Sequence, residues 1–393
     1  MRQDIRRSSV YFLLFLSLGL DLAVVGPTLP ALTAQTGSTL GAIGMVFFLS
    51  AVGSVLGTLL GGWLFDRVPG RFLLSSVQFC SAALLFLVPH VPWYGLLMGL
   101  FIVKGIATGM VNTGANTLLM WTHGGKAGPY MNALHFFFGL GSFLSPFLLG
   151  LLITVGGAYS HAYHLLAVID GTIGLIVLVA LKSPAPLPKQ SSDVDARGAA
   201  RRSAPIVLSA ALFLFFYVGA ELTFGEWVYT YATTLHLADV VQAAYLTSLF
   251  WLAFTVGRLI SIPAALRFSP RQIIPIALAG CAGFLGLLIL VPDSPAVLWI
   301  AGAGAGFCMA PIWPTGYTLA GQSVRLTARV SSLILLGDGI GGMVLPGLMG
   351  VLMERAGAMA MTPVVLGSLT MTFLAFLAIL LFGNKRRESI GPS

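Results

Sequence analysis

The sequence predicts an all-α membrane protein: twelve transmembrane helices in two six-helix, pseudo-symmetric halves. Three observations carry that expectation. Of 393 residues, 57% are hydrophobic and only 9% are charged, whereas a soluble domain carries about 25% charged residues. Twelve apolar runs are each long enough to cross a bilayer, which takes about 20 residues of helix. A set of residue pairs also recurs at a constant offset of 200 positions.

The runs cover residues 8–34, 38–65, 72–89, 93–121, 128–155, 162–182, 205–235, 240–266, 272–291, 296–321, 328–354 and 360–383, and mean hydropathy over the chain is +0.93. None shows the sustained alternation of an outer-membrane barrel strand. The first run follows Arg2, Arg6 and Arg7 as a signal peptide would, but it is longer than a signal core and Asp21 interrupts its centre, so it reads as a retained first span. Cys80, Cys281 and Cys308 all fall inside spans and form neither a disulfide framework nor a metal signature. His123 and His135 lack a partner at metal-ligand spacing, so no metal site is expected.

The net charge of +8 is organised by topology. With the N-terminus inside, 18 of the 21 basic residues fall on the cytoplasmic side: Arg2, Arg6, Arg7, Arg67, Arg71, Lys126, Lys182, Lys189, Arg197, Arg201, Arg202, Arg267, Arg271, Arg325, Arg329, Lys385, Arg386 and Arg387. Arg355 falls outside, and Lys104 and Arg258 lie within spans. This bias follows the positive-inside rule and puts both termini in the cytoplasm. The basic charge therefore gives no reason to expect a nucleic-acid partner. The expected partners are the bilayer and a small-molecule substrate, with the chain a monomer in the plasma membrane, read as a bacterial inner membrane.

The segment SPAPLPKQSSDVDARGAARRSAP, beginning at residue 183, is the one long polar stretch. Its composition suits a flexible linker, giving an N-terminal half at 1–182, a cytoplasmic linker at 183–204 and a C-terminal half at 205–393. The duplication is clearest in two stretches, GLGSFLSPFLLG at 139–150 and GIGGMVLPGLMG at 339–350. Gly139, Gly141, Pro146 and Gly150 are matched by Gly339, Gly341, Pro346 and Gly350. Gly19 and Asp21 are matched by Gly219 and Glu221, Gly57 by Gly257, Arg67 by Arg267, and Arg71 by Arg271. One offset shared by all of these argues for an internal repeat. Small residues let helices approach closely in lipid, and glycine and proline are tolerated there.

Two six-helix halves joined by a cytoplasmic linker resemble the major facilitator superfamily. GWLFDRVPGR at 62–71 is similar to its signature loop between the second and third spans, with Gly62, Asp66, Arg67 and Arg71 in place and Pro69 where glycine is usual. The resemblance implies the major facilitator fold, and a gating role for Asp66, Arg67 and Arg71 as a charged clasp on the cytoplasmic side. GSFLSP also resembles a motif of drug–proton antiporters. Its echo in the eleventh span favours a packing role.

Charges inside the membrane cost roughly 3 kcal/mol or more and call for a partner or a function. The candidates are Asp21, Lys104, Asp170, Glu221, Glu226, Arg258 and Asp338. In the fourth span, Lys104, Thr108, Asn112 and Asn116 recur every four residues along one stripe, which implies a wet surface. In the fifth, Asn132 and His135 share a face. Trp227 stands beside Glu226, and Trp313 lies between two prolines. Aromatic rings beside hydrogen-bonding groups suit a sugar, whose ring has apolar faces and a hydroxyl rim, in a concave site with few polar groups. The substrate-binding candidates are therefore Asn112, Asn116, Asn132 and His135 from the first half, with Glu226, Trp227 and Trp313 from the second. Arg258 and Asp338 are expected to pair as buried charges, and Asp170 to be structural.

NTGANTLLMW, NALHFFFGLGSFLSP and AAYLTSLFWLAFTVGRLISI at 243–262 resemble the fucose–hexose–proton symporter branch and the sodium-dependent glucose transporters related to it. That resemblance implies proton coupling through Asp21 and sugar contacts at Asn132 and His135; Lys104, as the opposite charge within the spans, and Glu221, as the match of Asp21 in the repeat, are the associated coupling candidates. Asn112 stands where the fucose symporters carry an acid, and Phe138 replaces a polar position. Two readings of Asp21 and Lys104 stay open: a permanent structural pair, or a pair that opens during transport. The expected function is secondary active transport of a monosaccharide or similar solute, without a cofactor, with H⁺ as the expected coupling ion and Na⁺ as the alternative. The alternatives are a proton-coupled drug or metabolite exporter and a lipid or lysolipid transporter of the same fold. No phosphate-binding loop or nucleophile–base set is present, so an enzyme is not expected.

Overall fold

Hydrocarbon offers no hydrogen bonds to an exposed backbone, so a chain this apolar must satisfy its peptide groups within helices. The computed structural model of the protein describes residues 2–65, 67–123, 127–181, 204–324 and 328–390. Over these the chain forms helices α1 (Arg2–Ala23), α2 (Val25–Thr36), α3 (Leu40–Ile43), α4 (Met45–Leu64), α5 (Gly70–Leu87), α6 (Tyr94–His123), α7 (Gly128–Thr154), α8 (Tyr159–Ala180), α9 (Ala204–Thr234), α10 (Val240–Arg267), α11 (Pro270–Leu290), α12 (Pro295–Met309), α13 (Ile312–Ser323), α14 (Ala328–Ala356) and α15 (Met361–Ile390), with short 3₁₀ turns at Val88–His90 and Ala358–Ala360. Eleven spans are long and apolar enough to cross a membrane, and the bent pair α1–α2 makes a twelfth. Each of the twelve apolar runs is thus a span. The expected linker, except Ala204, lies outside the described residues.

The first span bends by 47° where α1 gives way to α2. Pro27 lacks the N–H that would bond the Ala23 carbonyl, and its ring crowds that turn. The tenth span is interrupted between α12 and α13, at Ala310 and Pro311. Pro146 and Pro346 sit inside the continuous helices α7 and α14.

The chain divides into two compact units. The first is Met1–Pro188 with Gly225–Leu252 and Gly347–Ala358; the second is Lys189–Phe224 with Ala253–Pro346 and Met359–Ser393. In the first, α4 and α6 pack through interlocking glycines. Gly53 and Gly57 meet the backbone of Ile102 and Ile106, while Gly105 and Gly109 meet that of Ser50 and Ser54, so a Cβ at any of the four would collide with the partner's main chain. Close packing of this kind replaces the hydrophobic drive that lipid removes. On α7, Gly141 packs against the Leu16 carbonyl of α1; in the second unit, Gly341 of α14 packs against the Phe215 carbonyl of α9. The repeat is imperfect, since Gly139 is buried whereas Gly339 is exposed with nothing near it.

Candidate functional site

Four helices of the first unit direct polar side chains into one dry patch. Ser17 and Asp21 lie one turn apart on α1 and share a face. Gln78 and Ser81 do the same on α5, α6 supplies Lys104, and α8 supplies Asp170. All six are buried. The Lys104 ammonium donates to Asp21 Oδ2 at 2.6 Å. Ser17 donates to Asp170 Oδ1 at 2.5 Å, and Ser81 to Asp170 Oδ2 at 2.5 Å. Gln78 Nε2 donates to Ser17 Oγ at 2.6 Å. Ser81 Oγ also lies 3.4 Å from Asp21 Oδ2, while Asp21 Oδ1 is buried without a partner. Such charges persist in a dry interior only when paired and hydrogen-bonded.

The amide and imidazole candidates lie on α6 and α7, both of which pack on α1. Asn116 Nδ2 donates to the Asn112 carbonyl oxygen and to Asn112 Oδ1, each at 2.9 Å. Asn112, Asn132 and His135 are exposed on apolar helices, and His135 meets Phe15 edge to face at 5.5 Å. Side chains of this kind both donate and accept, which suits a solute with many hydroxyls.

Two candidates take other roles. Glu226 is buried, and its Oε2 accepts the Gly26 backbone N–H of α2 at 3.0 Å. A carboxylate at a helix N-terminus satisfies an orphan donor and the dipole together. A Cβ at Gly26 would strike the Glu226 backbone, so this contact requires glycine. Trp227 is fully buried, packed 5.9 Å from Phe47 and against Gly44 and Gly350. The expectation of an open aromatic platform there is corrected: Trp227 is core.

In the second unit, the Trp313 indole N–H donates to Asp338 Oδ1 at 2.7 Å, and its ring stacks on Tyr317 at 5.6 Å. The expected Arg258–Asp338 ion pair is corrected. Asp338 is held by Trp313, and the Arg258 guanidinium lies over the Phe254 ring at 4.6 Å, within electrostatic reach of both Glu221 and Asp338. Glu221 is buried beside Tyr217, whose hydroxyl donates to the Met309 carbonyl at the end of α12.

Of the clasp residues, Asp66 lies outside the described residues. Arg67 donates to the Trp63 carbonyl at 2.8 Å and covers its ring at 4.2 Å; Arg71 covers Phe72 at 4.4 Å. Sequence reasoning missed Ser17, Gln78 and Ser81 and set Asp170 aside as structural. The available signal was the spacing of Ser17 with Asp21 and of Gln78 with Ser81 in otherwise apolar spans. Among the described residues no group of three His, Cys, Asp or Glu side chains is placed to hold a metal.

Comparison with known proteins gives the family of this polytopic helical membrane protein. The chain matches the Major Facilitator Superfamily over residues 11–346 and 238–393, and it belongs to that family of transporters, not to an enzyme family. It is 32% identical over 371 residues to sodium-dependent glucose transporter 1A of Mus musculus, covering 86% of this chain and 87% of that protein. It is 30% identical over 375 residues to sodium-dependent glucose transporter 1 of Homo sapiens, covering 87% and 72%. In fold it is similar to the crystal structure of the nucleoside transporter NupG, with a TM-score of 0.75 at 14% identity over 97% of this chain and 99% of that one. It is also similar to that of a D-xylose-proton symporter, with a TM-score of 0.74 at 14% identity over 94% and 97%.

Proposed function

We propose that the protein moves a monosaccharide or a similar hydroxyl-rich solute by alternating access, as a symporter driven by a proton, with both termini in the cytoplasm. The observation that carries this reading is the row of Asn112, Asn116, Asn132 and His135, displayed on helices that are otherwise apolar. Polar side chains on an apolar membrane span are costly unless they serve a function, and a sugar's hydroxyl rim would engage these groups. The named activity of the glucose transporters of mouse and human supports the same substrate class. The concentration of basic residues at one end supports the orientation.

Binding to the folded state raises apparent stability, by about 2.7 kcal/mol when ligand is at roughly 100 times its Kd. Purified protein should therefore melt higher in the presence of hexoses or pentoses than in their absence. Stabilisation by amphipathic drugs or lysolipids, with none by any sugar, would replace this reading.

A further inference from the structure

The network around Asp21 holds two carboxylates and one ammonium, and the geometry assigns the ammonium to Asp21. Asp170 is 1% exposed and its direct partners are two serine hydroxyls. The charged groups acting on it from the packed helices are Asp21 of α1 and Lys104 of α6; α5 contributes the uncharged Gln78 and Ser81. With both acids ionised, the patch carries one uncompensated negative charge out of water, a state that neutralisation relieves.

The hydroxyl hydrogens say where a cation would go. Gln78 donates to Ser17, so the single Ser17 hydrogen is directed to Asp170 Oδ1, and that oxygen is committed as an acceptor. The free choice lies at Oδ2. Ser81 has one hydrogen and two carboxylate oxygens to serve: Asp170 Oδ2 at 2.5 Å and Asp21 Oδ2 at 3.4 Å. When Asp170 is ionised, Ser81 donates to it. When Oδ2 carries a proton, the acid donates to Ser81, whose own hydrogen is released to turn towards Asp21.

We propose that Asp170 Oδ2 carries the coupling proton of this transporter, with Ser81 as the hydroxyl relay that reports its presence to the Lys104–Asp21 pair. This rests on the reading of the protein as a proton-driven sugar symporter and differs from the expectation that Asp21 itself carries the proton. Loading forms one O–H bond at Oδ2 with a proton taken from hydronium, leaving water, and unloading reverses it; no electrons are exchanged. A hydrogen bond joins α5 to α8 in both states, with its direction reversed on loading, and in the loaded state the freed Ser81 hydrogen adds a second tie, from α5 to α1. Proton occupancy is thus converted into an added tie between α5 and α1. The 2.5 Å separation of Ser81 Oγ and Asp170 Oδ2 suits proton transfer along the hydrogen bond between the two oxygens.

Two readouts test this on the full-length protein. The first needs no sugar: infrared difference spectra of reconstituted protein between acid and alkaline pH. A protonated-carboxyl carbonyl band that is present in the parent, lost in Asp170→Asn and shifted in frequency in Ser81→Ala is the expected result. Persistence of the whole band in Asp170→Asn overturns the assignment. The second is sugar accumulation in proteoliposomes, where each pH unit supports at most about tenfold accumulation for one proton. Asp170→Asn should reduce the accumulation ratio to one while counterflow stays measurable, and Ser81→Ala should shift its pH profile. Accumulation that survives in Asp170→Asn, or that follows a Na⁺ gradient instead of pH, overturns the proposal. A parent protein with the Asp170 band but no sugar counterflow would refute the substrate reading and leave the protonation site supported.

Discussion

Removing Lys104 should hurt the fold more than removing its partner. Lys104 lies 2.6 Å from Asp21 in a buried setting, and Asp170 is close enough to feel the same ammonium. Lys104→Met takes away the cation and leaves two buried carboxylates facing each other. Breaking a buried pair in this way costs about 3–5 kcal/mol. Asp21→Asn leaves Lys104 with Asp170 still nearby, so the loss is nearer that of one unmade buried hydrogen bond, about 1–3 kcal/mol. The double variant Asp21→Asn/Lys104→Met leaves only Asp170, still held by Ser17 and Ser81. Its loss should fall short of the sum by about 0.5–3 kcal/mol, the range for residues that share a network. The assay is apparent melting of detergent-solubilised protein, followed by size-exclusion chromatography of the heated samples. Equal losses for the two single variants, a greater loss for Asp21→Asn, or strict additivity in the double would refute this account of the network.

Three further outcomes are expected. Asn112→Ala with Asn132→Ala should weaken sugar binding by about 1–3 kcal/mol for each unpaired group, read as the loss of sugar-induced thermal stabilisation; unchanged affinity would move the site elsewhere. Gly141→Val should destabilise the protein, because its Cβ meets the Leu16 carbonyl, whereas Gly339→Ala should be near neutral, because nothing lies near its Cβ; melting temperatures that rank the other way would remove the packing argument. Asp66→Asn should reduce transport at near-normal expression by weakening the charged clasp, and undiminished uptake would remove Asp66 from gating.

The legible part of this molecule was what local composition controls. Twelve apolar runs became twelve spans because hydropathy and length alone decide what crosses a bilayer. The breaks after Ala23 and Met309 fall beside Pro27 and Pro311, but whether a proline interrupts a span or sits within a continuous helix, as Pro146 does, depends on what the neighbouring helices supply. The Lys104–Asp21 contact is common to both readings of these two mid-span charges of opposite sign. The partners of Asp170 were not legible because one sequence does not say which face of its span meets α1 and α5. Ser17 and Ser81 are ordinary in composition and matter only through the carboxylate they share. Trp227 was misjudged for a related reason: Gly44 and Gly350, far away in sequence, make the recess that buries it. Arg258 and Asp338 lie within electrostatic reach of each other, but the direct partner of Asp338 is the Trp313 indole, which charge pattern alone does not reveal.

The central claim is that a sugar crosses the membrane on this protein with a proton. The most direct measurement is uptake of a labelled monosaccharide into proteoliposomes containing the purified protein, under an imposed pH gradient and, separately, an imposed Na⁺ gradient. The account predicts accumulation above equilibrium with the outer compartment acidic, collapse on adding a protonophore, and loss of accumulation in Asp170→Asn. Sugar that only equilibrates under the pH gradient but accumulates under the Na⁺ gradient would contradict it.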